Sequence, residues 1–163
     1  MATELEELYE KDFYAWTRRQ AKALRALAKT RPNVPVDWRH LIDEVEGLGR
    51  NEWHAVRSQL RRLIEHLLKL ARSPACDPRR GWVMTAVYAR QELADRLTAT
   101  LKRRLRRELG AIYAEARRAA KRALELYDEH EAASRLPEAC PWTLEQILDP
   151  EFFPEPEEGG DGD

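Results

Sequence analysis

Between Trp38 and Leu70 the chain repeats apolar residues at helical spacing and breaks the rhythm once. The apolar positions are 38, 41, 45 and 48, then 53, 56, 60, 63, 67 and 70. Steps of three and four alternate within each run, so each run lies along one side of a helix. From Leu48 to Trp53 the step is five, one residue too many, with Gly47 and Gly49 beside the discontinuity. A helix-turn-helix joint or a π-bulge in a long helix would absorb the extra residue. GLGR is short for a reversal, and the expectation is one long kinked helix.

The flanking sequence is helical as well. A first helix is expected from Thr3 to Lys29, with Leu5, Leu8, Phe13 or Tyr14, Trp16, Leu24 and Leu27 as its apolar stripe. TRPNVPV ends it, because proline removes a donor and restricts the residue before it. Asp37 then suits the N-cap of the next helix. SPACDP at 73–78 is a loop, with Asp77 and Pro78 opening a segment that carries Trp82, Val83, Ala86, Leu93, Leu97, Leu101 and Leu105. Gly110 offers a joint before a further helix to about Ser134. Thr143 and Gln146 form a capping-box pattern for the short helix TLEQIL. No segment alternates with a strand period. The fold class is therefore all-α: a helical bundle of about four to five helices, a short C-terminal helix and a disordered acidic tail. Residues 1–148 form one bundle domain, and 149–163 form the tail.

Charge separates these parts. The tail DPEFFPEPEEGGDGD holds seven acidic residues and no basic ones, which leaves residues 1–148 at about +6. Residues 99–122 concentrate nine basic side chains against two acidic ones, the one strong charge patch of the chain. No run of 18 apolar residues exists, so no membrane span is expected, and the acidic start MATELEELYEKDFYAW is the reverse of a signal peptide. Cys76 and Cys140 lack a second pair and read as thiols of a reducing cytoplasm.

Several segments resemble a bacterial family catalogued as a domain of unknown function, number 29. They are LYEKDFYAW (8–16), LIDEVEGLGR (41–50), LRRLIEHLLKL (60–70), GWVMTAVYARQEL (81–93), IYAEARRAA (112–120) and LPEACPWTLEQILDPEFFP (136–154). They occur in the family's order and cover nearly the whole body. The resemblance implies an all-helical fold and carries no established activity. The chain departs from the family at 98–107, where TATLKRRLRR replaces a short Pro-Ser-Leu turn. The fourth and fifth helices are then nearly continuous or joined nearer Gly110.

Three constellations could carry function. Asp37, His40 and Glu44 share one helix side, and His66 lies at the edge of the next stripe, so His40, Glu44 and His66 are candidate metal ligands. The Glu-x-x-His and HExxH signatures of helical metal sites are absent, and the plainer reading is capping and helix-surface pairing for Asp37 and His40 and a hydrogen-bonded rim histidine for His66. Glu44 and Glu46 point in different directions, and their expected use is pairing with Arg57, Arg61 or Arg90. The second constellation is the basic face: Lys102, Arg103, Arg106, Arg107, Arg117, Arg118, Lys121 and Arg122 could line a strip facing phosphates. Leu101, Leu105, Leu109 and Ile112 also make it an ordinary amphipathic helix with a solvated basic side. Third, the five tryptophans fall at or near apolar positions and are expected in the core, with PEACPWT latching a loop over the bundle end. The serines Ser58, Ser73 and Ser134 form no nucleophile elbow, and no glycine-rich phosphate loop is present. No cofactor is called for. The leading expectation is a non-catalytic adaptor or regulatory protein with a protein partner or a second copy of itself. Nucleic-acid binding through the 102–122 face and metal binding through the 37–66 region are the alternatives.

Overall fold

A computed structural model describes residues 3–156. Among them are seven helices and no strand: α1 (Glu4–Lys11), α2 (Phe13–Lys29), α3 (Trp38–Arg72), α4 (Arg79–Arg96), α5 (Ala99–Leu126), α6 (His130–Ser134) and α7 (Leu144–Leu148). No helix among the described residues is long and apolar enough to cross a membrane. The chain divides into two compact units, Met1–Val56 with Arg96–Arg104, and Arg57–Asp95 with Leu105–Asp163.

In the first unit, the helix expected from Thr3 to Lys29 is two helices, interrupted at Asp12. Its backbone leaves the helical region (φ −151°, ψ 77°), and its Oδ1 accepts the Ala15 N–H at 2.9 Å, capping α2. Its Oδ2 accepts the Thr100 N–H at 3.2 Å in the first turn of α5. One carboxylate thus serves two helix N-termini, where unpaired N–H groups and the helix dipole both favour an anion. Burial raises the Asp12 pKa, but the Ala15 amide and Thr98 and Thr100 outweigh it and hold the carboxyl below the usual range. Tyr14, Thr17 and Ala21 supply the buried side of α2. Arg104 lies 3.9 Å over the Trp53 ring and donates to the Tyr14 hydroxyl at 2.8 Å.

α3 is helical without interruption through both glycines. The buried line on it runs through Ile42, Glu46, Gly49, Trp53 and Val56, the first two half-buried. Steps of four and three continue from there to Leu60, Leu63, Leu67 and Leu70, all without exposure. No residue is extra. The apparent register slip comes from Leu48, which stands one residue before the buried position, Gly49.

In the second unit, Leu63, Ile64 and Leu67 of α3, Ala86 and Leu93 of α4, and Ile112 and Ala116 of α5 are closed to solvent. The joint between α4 and α5 lies at Leu97–Thr98, within the first unit, and not at Gly110, through which α5 runs unbroken. Thr98 provides the break: its Oγ1 accepts the Leu101 N–H at 3.3 Å. At the other end of α5, Asp128 takes a left-handed conformation (φ 60°). The Asp128 N–H bonds Glu125 O at 3.1 Å and the Glu129 N–H bonds Leu124 O at 2.9 Å, a Schellman ending with aspartate in glycine's place.

Residues 136–156 form a strap whose main-chain carbonyls are held by side chains. Tyr113 and Arg117 donate to Pro137 O at 2.5 and 2.8 Å. Arg90, 7% exposed, donates to Ile147 O at 3.0 Å and Phe152 O at 2.7 Å and lies over the Phe153 ring. Arg79 donates to Pro154 O at 3.1 Å. Within the strap, the expected capping box of Thr143 and Gln146 opens α7. Residues 149–156, expected to begin a disordered tail, are held by these contacts; 157–163 lie outside the described residues.

Candidate interaction surface

The apolar run 38, 41, 45, 48 is real, but it is not the buried side of α3. Each of its last three members precedes a residue of the buried line by one: 41 before 42, 45 before 46, 48 before 49. One residue is about 100° of helix rotation, so in the N-terminal half of α3 the apolar run is turned away from the line that packs. Leu41 and Leu48 are 41% and 46% exposed, while Trp38 and Val45 are half-buried. The spacing three, four, three is that of a helix-pairing seam. Val34 and Val36, just ahead of α3, are exposed as well.

Asp37 and Glu44 flank the seam on the side away from the buried line, and both are exposed. Asp37 caps α3 through the His40 N–H at 3.3 Å and bonds His40 Nδ1 at 2.6 Å. That carboxylate raises the imidazole pKa, with Asp43 and Glu44 adding to it, and the histidine in turn lowers that of Asp37. Glu46 turns from the seam to Arg25 and Arg50.

A second feature of the same unit is a groove of about 550 Å³ in which Leu5, Tyr9 and Trp16 stand among Glu6, Glu7, Glu10 and Lys11. Tyr9, Phe13 and Trp16 pack ring on ring, at centroid distances of 5.0–5.7 Å. Leu5 and Tyr9 are 38% and 47% exposed.

Of the candidate metal ligands, His40 is bound to Asp37, His66 Nδ1 donates to Arg62 O at 2.8 Å, and Glu44 is exposed. Among the described residues no group of three or more histidine, cysteine, aspartate or glutamate side chains is placed to hold a metal. The anticipated pairing of Glu44 or Glu46 with Arg57, Arg61 or Arg90 does not occur. Arg57 instead makes a two-pronged bond to Glu115 at 2.6 and 3.0 Å, and Arg90 holds the strap.

The basic residues of α5 divide. Arg106 pairs with Glu145 at 2.5 Å, Lys121 lies 3.9 Å from Glu125, and Arg117 holds the Leu136 and Pro137 carbonyls. Arg103, Arg107, Arg118 and Arg122 are exposed and Lys102 half-buried. Sequence reasoning missed Asp12, which reads as one more acidic residue of an acidic first helix. It also missed the buried line through Ile42, Glu46 and Gly49; the step of five was its only trace.

These features define an all-α protein whose longest helix carries an apolar stripe apart from the core. The chain belongs to the family described as Domain of unknown function DUF29, whose profile matches residues 8–153. It is similar to an α-helical protein of unknown function from Rhodospirillum rubrum, with a TM-score of 0.79 and 28% identity over 88% of this chain and 90% of that one. No curated protein matches it.

Proposed function

We propose that this bacterial protein is a cytoplasmic interaction module that acts by contact, receiving a helix of a protein partner on the Trp38–Leu41–Val45–Leu48 seam. The observation that supports the reading is the exposure of Leu41 and Leu48 at helix-pairing spacing, one residue off the line through which α3 packs. Fully covering an exposed leucine contributes on the order of 1–2 kcal/mol, so two such anchors, flanked by the half-buried Trp38 and Val45, suit a specific, reversible contact. Both cysteines are free thiols, which agrees with a reducing compartment.

The flanking charge selects the partner. Asp37 and Glu44 call for a helix with lysine or arginine beside its apolar stripe. A second copy in antiparallel pairing would set Glu44 against Glu44, so this seam disfavours self-association. The test is isolation of the intact protein from its host at low salt beside the variant Leu41→Glu/Leu48→Glu. The expected result is a stoichiometric polypeptide with a basic amphipathic helix, present with the native chain and lost with the variant. A partner retained by the variant, or a native chain that elutes alone, would sink the reading.

A further inference from the structure

The second unit holds a cavity of about 530 Å³ lined by Lys69, Asp77, Trp82, Leu124, Tyr127 and Glu129, among others. Its volume is within the range of small-molecule sites, and its build is similar: apolar walls with a few polar groups. Trp82 and the fully packed Leu124 give the apolar surface, and Tyr127 stands 78% exposed.

The charges of the lining do not balance. Lys69, 8% exposed, is already committed to Glu65 at 3.0 Å, and its ammonium lies 5.9 Å from the Trp82 ring centroid. Glu129 follows the left-handed Asp128 and is held in place by its own N–H on Leu124 O. Its Oε2 is shut off from solvent and accepts no hydrogen bond. With no donor on that oxygen the Glu129 charge stays uncompensated, and a cation held in the cavity that Glu129 lines would offset it through space. Asp77 adds a second carboxylate with no ion pair among the described residues.

We propose that this cavity binds a small organic cation, a protonated primary amine carried on an apolar or aromatic body. The ammonium sits against the Glu129 and Asp77 carboxylates, and the body lies against Trp82 and Leu124. An anion is disfavoured, because the one cation of the lining is neutralised and two carboxylates oppose it. The site involves neither the α3 seam nor the reading built on it.

The probe is 2-phenylethylamine, titrated into the full chain and followed by the NMR shift of the Trp82 indole N–H, identified by its loss in Trp82→Phe. 3-Phenylpropionate, similar in size and opposite in charge, is the comparison. The expected result is saturable binding of the amine, weakened about tenfold or more by Glu129→Gln, and no saturation by the acid. Asp77→Asn, at an exposed position, should weaken binding in the same direction and serves if Glu129→Gln fails to fold. No saturation by the amine in the millimolar range overturns the proposal. So does equal binding of the acid, or an affinity unchanged in both variants.

Discussion

Gly49 meets Thr17 so closely that a Cβ on the glycine would stand 2.5 Å from the threonine Oγ1. Thr17 cannot easily yield, because it is fully buried and its hydroxyl donates to Tyr14 O at 2.8 Å. In Gly49→Ala, a helix-propensity gain of about 1 kcal/mol opposes an overpacking cost of about 1–3 kcal/mol. The expected outcome in denaturant melts is net destabilisation, recovered in part when Thr17→Ala is added. Gly47 and Gly110 are different: the first would meet only the end of Arg50 at 3.5 Å, and the second nothing within 4 Å. Alanine at either should stabilise by about 0.5–1 kcal/mol.

Asp12 caps two helices, and its loss should exceed that of an ordinary cap. Asp12→Ala is expected to cost about 2–3 kcal/mol, against about 1 kcal/mol for one cap. The folded-state pKa is depressed, so this stabilisation is present above the unfolded value of about 3.9 and is lost as pH falls through the folded one. Acid melts of Asp12→Asn should lack that part of the pH dependence.

The sequence shows the helices because apolar periodicity is a local property, and the loop at 73–78 and the Thr143 cap are local as well. What it hides depends on neighbours. Asp12 breaks a helix because Thr100, far along the chain, shares its carboxylate. Leu48 and Gly49 cannot be ranked by hydrophobicity, since Gly49 is buried for its small size. Arg90 and Arg117 read as surface charge, yet their partners are main-chain carbonyls, which carry no mark in the sequence. The same blindness covers the candidate sites: pairing of His40 with Asp37 is local and legible in their spacing, whereas the cavity beside Trp82 gathers residues from 69 to 129.

His66 should give the protein an acid-sensitive element. Burial lowers its pKa, with the Lys69 and Arg62 charges acting the same way against the Arg62 carbonyl and Glu65. The unfolded chain takes up a proton near about pH 6.5 while the folded chain does not, so stability declines as pH falls below that value. His66→Gln should flatten the decline, measured as the denaturation midpoint from neutral pH into the acid range. An unchanged slope would mean that the ring is as accessible to protons in the fold as outside it.

Asp128 holds a left-handed conformation at the end of α5, which costs a residue with a side chain roughly 1 kcal/mol or more relative to glycine. Asp128→Gly should therefore raise the melting temperature while keeping the hydrogen bonds from residues 128 and 129 to Glu125 and Leu124. A loss of stability would show that the aspartate side chain contributes something beyond the turn.

α3 and α5 each supply residues to both compact units, passing from one to the other at Val56–Arg57 and at Arg104–Leu105. Neither unit is consequently a contiguous piece of gene, and no single cut releases one of them intact. A cut in the 73–78 loop would give two fragments, each holding part of both units and neither complete. Such halves suit a complementation assay, in which recovery of helical structure reports that the two have found each other.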